Sequence, residues 1–277
     1  MRIGAHVSSG GGIHLAVDRA RAIGAEALQV FTQSSRMWRP TRHSEEDCAA
    51  FRAQAAGAAL PAFCHAIYFI NLASDDPDLH QKSVTALATT AEVATAIGAE
   101  GVVFHVGSHK GLGLEAALPR IVDGIHAAIE HAGPDVWLVL ENSAGAGGTI
   151  GRDLGELARV FHAVDHPRVG LCLDTCHVFV SGVDIRDPSV ADGLVDDIDA
   201  AFGLDRLRCL HVNDAAAPCG SNRDRHASIG QGEIGTAIAL LLSHPRLQHL
   251  PAILETPGPA NEGPDAAEMA EVRRLHA

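Results

Sequence analysis

No apolar run in this 277-residue chain approaches the roughly 20 residues that a membrane-spanning helix needs; stretches such as 136–140 and 169–173 are strand-sized. A helical membrane protein is thereby excluded. The start, Met1-Arg2-Ile3-Gly4-Ala5-His6, lacks the long apolar segment of a secretory signal. A cytoplasmic location is expected. Cysteine is sparse: six residues (48, 64, 172, 176, 209 and 219) form no C-x-x-C pair, which leaves no disulfide framework and no zinc ribbon. They read as reduced thiols. Positive charge is short as well, 21 Lys and Arg against 34 Asp and Glu for a net of −13. Taken alone, that balance argues against a partner held by non-specific attraction to phosphates, because such binding rests on Lys and Arg. Two further signatures are missing. Ser8-Ser9-Gly10-Gly11-Gly12 stands where a dinucleotide fold would carry G-x-G-x-x-G, and no Ser-His-Asp or Cys-His nucleophile pattern is present.

What the chain does have is alternation. Arg21-Ala22-Ile23-Gly24-Ala25-Glu26 leads into Ala27-Leu28-Gln29-Val30-Phe31, and Thr95-Ala96-Ile97-Gly98-Ala99-Glu100 leads into Gly101-Val102-Val103-Phe104-His105. Each is a helix end feeding a strand, with Gly24 and Gly98 suited to the left-handed position that stops a helix. The same template predicts strands near 2–6, 27–31, 61–65, 101–105, 136–141, 169–174, 207–212 and 251–255. Alanine-rich segments of helical period fall at 13–23, 44–58, 78–97, 114–131, 152–163, 188–202, 234–242 and 265–276. Eight strand and helix units without an intervening linker predict a single α/β domain over 1–277, a (β/α)8 TIM barrel. A doubly wound open sheet is the competing architecture, and the missing glycine fingerprint counts against it.

In such a barrel the chemistry sits at the C-terminal ends of the strands. The third to eighth strands end at His65, His105, Glu141, Asp174, His211 and Glu255. Any one of these alone is an ordinary hydrogen-bonded residue. Six in phase, at about one chance in four apiece, coincide roughly once in several thousand, so a metal site is expected. Just beyond strand ends lie His177, three residues after Asp174, and Asp224 with His226 flanking Arg225. An i,i+2 pair in an extended loop points both side chains one way. Imidazole with carboxylate suits Zn²⁺, Mn²⁺ or Fe²⁺, and nine ligands fit two or three ions. Cys64 and Cys176 adjoin ligands and are expected to point away as buried small residues. His6 reads equally as a hydrogen-bonding partner of a metal-bound group or as a structural residue.

These residues carry a resemblance to the endonuclease IV family of apurinic/apyrimidinic endonucleases. It runs through Gly4-Ala5-His6-Val7-Ser8, His65, Tyr68-Phe69-Ile70-Asn71-Leu72-Ala73, Phe104-His105-Val106-Gly107-Ser108-His109 and Glu141-Asn142-Ser143-Ala144-Gly145. It continues through Asp174-Thr175-Cys176-His177, His211-Val212-Asn213-Asp214, Asp224-Arg225-His226 and Leu254-Glu255-Thr256-Pro257. Any single run is weak; their order and barrel positions are specific. The resemblance implies three Zn²⁺. His65 and His105 would hold one, Glu141 would bridge it to a second completed by Asp174, His211 and Glu255, and His177, Asp224 and His226 would hold the third. Catalysis would rest on Glu141, Asp174 and Glu255. The implied reaction is hydrolysis of duplex DNA on the 5′ side of an abasic site, leaving a 3′-hydroxyl. Metal-activated water needs no protein nucleophile, in keeping with the missing triad.

The resemblance further implies that Arg36, Tyr68 and Phe69 enter the duplex at the lesion, where extrusion costs least. Arg39, Arg223 and Arg225 are expected to meet DNA, and with Arg42 and Lys110 they gather basic charge at the catalytic mouth. Three divalent cations add six positive charges, taking −13 to −7, and local field rather than net charge governs phosphate binding. Val106 and Ala146 depart from the common family pattern. So does the lack of a Lys after Asn213-Asp214, expected to weaken DNA affinity. A metal-dependent sugar isomerase or epimerase is the rival enzyme. It would use one or two ions and a separate proton-transfer residue, and the extra triad favours phosphate chemistry. A non-catalytic damage-binding module is a third reading, disfavoured by an intact ligand set. A monomer is expected.

Overall fold

The computed structural model describes residues 1–259 and 262–276. In chain order the elements are β1 (Arg2–His6), α1 (Leu15–Ala22), β2 (Leu28–Phe31), α2 (Glu45–Gly57), β3 (Ala62–His65), α3 (Pro77–Ile97), β4 (Gly101–Phe104) and α4 (Leu114–Ile129). They continue with β5 (Trp137–Glu141), α5 (Leu154–Val164), β6 (Val169–Asp174), α6 (Thr175–Ser181), α7 (Pro188–Phe202), β7 (Leu207–His211), the short hairpin β8 (Asp214–Ala215) and β9 (His226–Ala227), α8 (Ala239–Leu242), β10 (Pro251–Leu254) and α9 (Ala266–His276). Strands β1 to β7 and β10 form a closed parallel barrel. Closure is made by β10, which pairs with β1 from Arg2↔Pro251 to Ala5↔Leu254 and with β7 at Ala252↔Leu210 and Ile253↔His211. The open-sheet alternative is therefore excluded. No helix among the described residues is long and apolar enough to cross a membrane.

Local chemistry sets the element ends. Asp76 caps α3 by accepting from the N–H groups of Asp78 and Leu79, Pro77 occupies the first turn, and Gly98 stops the helix at φ 68°. Gly24 has φ 75° after α1, as the repeated pattern predicts. The segment expected to be helical over 234–242 is shorter: a 3-10 turn spans Gly235–Ile238 before α8. Its start is held instead by the Asp214 carboxylate, which accepts from the Ile234 and Gly235 N–H groups. Helix α6 begins immediately after β6 because the Asp174 side chain caps it, accepting from His177 N at 2.8 Å.

The interior is layered by the two-residue period of the strands. Phe63, Val103, Val139, Cys172, Cys209 and Ile253 form a fully buried plug inside the barrel, while a second, larger cluster fills the space between barrel and helices. Each plug residue lies two positions before a candidate ligand: His65, His105, Glu141, Asp174, His211 and Glu255 in turn. Alternation aims both members of a pair at the barrel axis. The apolar layer thus becomes a dry floor under the polar one.

Candidate metal centre

Glu141 is the centre of the polar layer. Fully buried at the end of β5, it directs Oε2 toward His65 Nε2 and His105 Nε2, both at 3.2 Å, and Oε1 toward His211 Nδ1 at 3.0 Å. One carboxylate therefore stands between two sets of imidazoles. His211 Nδ1 also lies 3.1 Å from Glu255 Oε2. A third set hangs beside them: Asp224, carried on the β8–β9 hairpin, comes within 3.3 Å of His177 Nε2 through Oδ2 and within 3.3 Å of His226 Nε2 through Oδ1. Asp174 stands at the border of the second and third sets, its Oδ2 3.9 Å from His226 Nε2. All nine sequence-predicted ligands meet at this end of the barrel. Ligand atoms of His65, His105 and Glu141, of His65, His211 and Glu255, and of Asp174, His177 and His226 lie within 4.8 Å of one another in each group.

The imidazoles are oriented for coordination. A carbonyl oxygen can only accept, so the ring nitrogen facing one must donate, and in the neutral ring that coordination requires the opposite nitrogen then carries the lone pair. His65 Nδ1 faces Ala66 O at 2.7 Å, His177 Nδ1 faces Asn142 O at 3.0 Å, and His226 Nδ1 faces Glu255 O at 3.3 Å. Their Nε2 atoms are the ones aimed at the centre. This is the arrangement that metal-binding histidines use.

Charge argues for cations. Four carboxylates face five imidazoles here, and among the described residues none of the four forms an ion pair with Lys or Arg. Burial pulls His177 and His226 down, but the carboxylates of Asp174 and Asp224 prevail and raise them to about 10 and about 9. Burial pushes Glu141 and Glu255 up, yet the surrounding imidazoles, His105 and His211 foremost for Glu141 and His211 for Glu255, hold both well below the usual carboxylate range. Protons on the rings supply positive charge that metal ions would otherwise supply. Among the described residues, two buried nitrogens, His105 Nδ1 and His226 Nε2, make no hydrogen bond of acceptable geometry, although His226 Nε2 lies 3.3 Å from Asp224 Oδ1. The donor set of nitrogen and carboxylate oxygen fits Zn²⁺ or a neighbouring transition metal.

Several supporting residues carry no sequence signal of their role. Asn213 donates to Asp174 Oδ2 at 2.6 Å and accepts from Glu255 N, and Asn142 bonds both backbone groups of Asp174. Gln29 on β2 reaches His211, Glu255 and His6 at once. Asp214, fully buried, accepts from the N–H groups of Ala215, Gly230, Gly232, Ile234 and Gly235, fixing the loop that follows β9. His6 touches the candidate ligands: its Nδ1 accepts from Gln29 and lies 3.5 Å from Glu255 Oε1. Cys64 packs in the outer core, as expected. Cys176 does not turn away: it belongs to α6 rather than to a strand, so strand alternation does not apply, and its Sγ comes within 4.8 Å of ligand atoms of Asp224 and His226. Burial pushes that thiol far up, which keeps it protonated.

A cavity of about 730 Å³ opens above the cluster, lined among others by Arg36, Tyr68, Phe69, Lys110 and Arg225. A larger groove of about 890 Å³ flanked by α5, α6 and α7 contains none of the nine ligands. Tyr68 is 54% and Phe69 44% exposed, so neither is a core residue. Tyr68 sets its ring edge-on to Phe31 at 5.3 Å, and Phe69 packs against Trp38 at 5.8 Å. Arg39 and Arg223 are exposed but do not line the cavity.

A family model described as a xylose isomerase-like TIM barrel matches residues 17–275. A Chloroflexus aggregans protein named "Probable endonuclease 4" is 40% identical over 278 residues, covering 99% of this chain and 97% of the relative. The crystal structure of endonuclease IV from Thermus thermophilus superposes with a TM-score of 0.87 at 37% identity, covering 99% of this chain and 98% of that one. A D-tagatose 3-epimerase-like protein, at 16% identity and a TM-score of 0.73 over 99% and 95% of the two chains, shares the fold alone. Identity sustained from end to end on the same barrel means that the chain belongs to the endonuclease IV family.

Proposed function

We propose that the chain is a zinc-dependent endonuclease acting as one catalytic domain, which hydrolyses the phosphodiester on the 5′ side of an abasic site in duplex DNA and leaves a 3′-hydroxyl. The observation that carries this reading is the Glu141 carboxylate held between two imidazole sets, with a third set of His177, Asp224 and His226 directly beside it. A sugar isomerase has no use for that third set. When bound, the ions would generate a nucleophile from water and neutralise charge developing on the phosphate.

The protein's own part is positioning. Glu141 and Asp174 are buried and Glu255 half-buried, all three acceptors of fixed orientation, and the apolar plug beneath them keeps water from approaching from below. At the rim, exposed Tyr68 and Phe69 offer apolar faces to a gap in the base stack with Arg36 on the same cavity wall, and Lys110 and Arg225 offer charge to phosphates. The direct test uses a duplex with one abasic analogue and a labelled 5′ end, with zinc and after prolonged chelation. Zinc-dependent cutting at the lesion, with the undamaged strand intact, is expected; sugar epimerisation without cutting would replace this reading with its rival.

Metal analysis of the purified protein should find two to three transition-metal ions per chain, chiefly zinc. Nine ligands cannot be satisfied by one ion at four or five ligands each. A fully loaded preparation holding a single ion would sink the trinuclear assignment.

Recognition has its own expected result. Replacing Arg36 and Tyr68 together by Ala should weaken binding to abasic duplex far more than to intact duplex, each side chain contributing on the order of 1–3 kcal/mol. Arg39→Ala or Arg223→Ala should lower affinity for both duplexes alike and flatten the salt dependence. Titrations on matched duplexes at two salt concentrations separate the roles. Equal loss on both duplexes for the double variant would remove Arg36 and Tyr68 from lesion reading.

A further inference from the structure

Gln29 is a polar residue on β2 whose in-register neighbours are the hydrocarbon Phe63 on one side and His6 on the other. Phe63 is a member of the apolar plug, and Gln29 is itself fully buried. An amide there is costly unless its hydrogen-bonding groups are used. Its Nε2 lies 2.6 Å from Glu255 Oε1 and 3.0 Å from His6 Nδ1, and its Oε1 lies 2.9 Å from His211 Nε2. A carboxylate oxygen can only accept, so the –NH2 end must be the one facing Glu255. The oxygen end is then fixed on His211, whose Nε2 must donate. In the neutral ring that a metal ligand requires, that leaves the lone pair on His211 Nδ1, the atom lying between Glu141 Oε1 and Glu255 Oε2.

We infer that Gln29 is a positioning residue of the metal centre: it fixes the tautomer of His211 and the rotamer of Glu255 together. His65, His177 and His226 take their orientation from backbone carbonyls, which no side-chain substitution removes. His211 takes it from a side chain. One residue thereby sets two ligands of the same ion, and it extends the coupling to His6, which accepts the second Nε2 hydrogen. Such partners of metal ligands typically change metal affinity by about 10–100-fold when lost.

The inference rests on the metal reading above, and its test separates the two. Gln29→Met keeps the volume and removes all three contacts. Gln29→Glu keeps an acceptor for His211 but sets a carboxylate against Glu255. The parent and both variants, loaded with zinc and with ¹⁵N-labelled histidine, are dialysed against graded chelator and then examined by long-range ¹H–¹⁵N spectra. The parent should show His211 metal-bound at Nδ1 and protonated at Nε2. Gln29→Met should lose one ion at about 10–100-fold lower chelator than the parent and show a mixed His211 tautomer. Gln29→Glu should keep the His211 signature while still losing that ion early. If Gln29→Met proves unfolded, the Gln29→Glu result decides alone. Zinc retention and His211 signals identical to the parent in the folded variants would overturn the role of Gln29. A parent that takes up no zinc would instead overturn the metal centre itself.

Discussion

Glu141→Gln should lower the single-turnover rate of cleavage at an abasic site by on the order of 10³-fold or more while leaving the barrel folded. The substitution keeps size and removes both charge and symmetry. In the parent, Oε2 faces two imidazole nitrogens at 3.2 Å and Oε1 faces a third at 3.0 Å. Whichever way the amide turns, its –NH2 group points at a nitrogen whose lone pair is meant for a cation, and two ligand sets lose their shared anion at once. Zinc content should therefore fall by more than one ion per chain. Glu141→Asp, which keeps the charge but shortens the reach, should fall between parent and amide. Circular dichroism checks the fold, because Glu141 caps no helix and its plug neighbour Val139 is untouched. A Glu141→Gln protein with parental zinc content and rate would remove Glu141 from the bridging position.

The prominence of Glu141 is legible in the sequence alone, and the reason is geometric. In a closed parallel barrel the strand ends are held in phase, so an inward residue at the end of each strand reaches the same place, and the chain writes this as an apolar plug residue followed two positions later by a candidate ligand. His65 after Phe63 and Glu255 after Ile253 are instances. Loop ligands are legible only through Asp224-Arg225-His226 and the i+3 position of His177. What cannot be read is anything depending on a side chain's partner. Gln29 sits in a strand with no local mark of its contacts to residues 182 and 226 positions away. Asp214 reads as a turn residue, and its role emerges only when the loop of 230–235 folds over it. Strand periodicity gives Cys176 a direction that it does not take, because Asp174 ends the strand and starts a helix in the same residue.

Asp224→Ala tests the part of the site with the least burial, and its expected signature differs from that of Glu141→Gln. The Asp224 side chain is 54% exposed and comes from a hairpin of two-residue strands, whereas His177 is nearly buried behind it on α6. Its two oxygens are divided between His177 and His226, so removing the carboxylate opens the third set and leaves His65, His105, Glu141, His211 and Glu255 with every mutual contact they had. Zinc should drop by one ion per chain, and the other ions should resist the same chelator that they resist in the parent. Burial lowers the affinity of His177 and His226 for protons, while Asp224 and Asp174 raise it; without Asp224 both rings should titrate nearer the ordinary range, a change visible by NMR in the metal-free chain. Cleavage should slow by about 10²–10³-fold, the scale at which one preorganised charge-stabilising group acts on a transition state, with binding of abasic duplex changed far less than the rate. Excess zinc should restore part of the rate, because His177, His226 and Asp174 remain in place to hold an ion weakly. An Asp224→Ala protein that kept three ions and the full single-turnover rate would show that the hairpin carboxylate is a surface charge, and that the third set is closed by some other group.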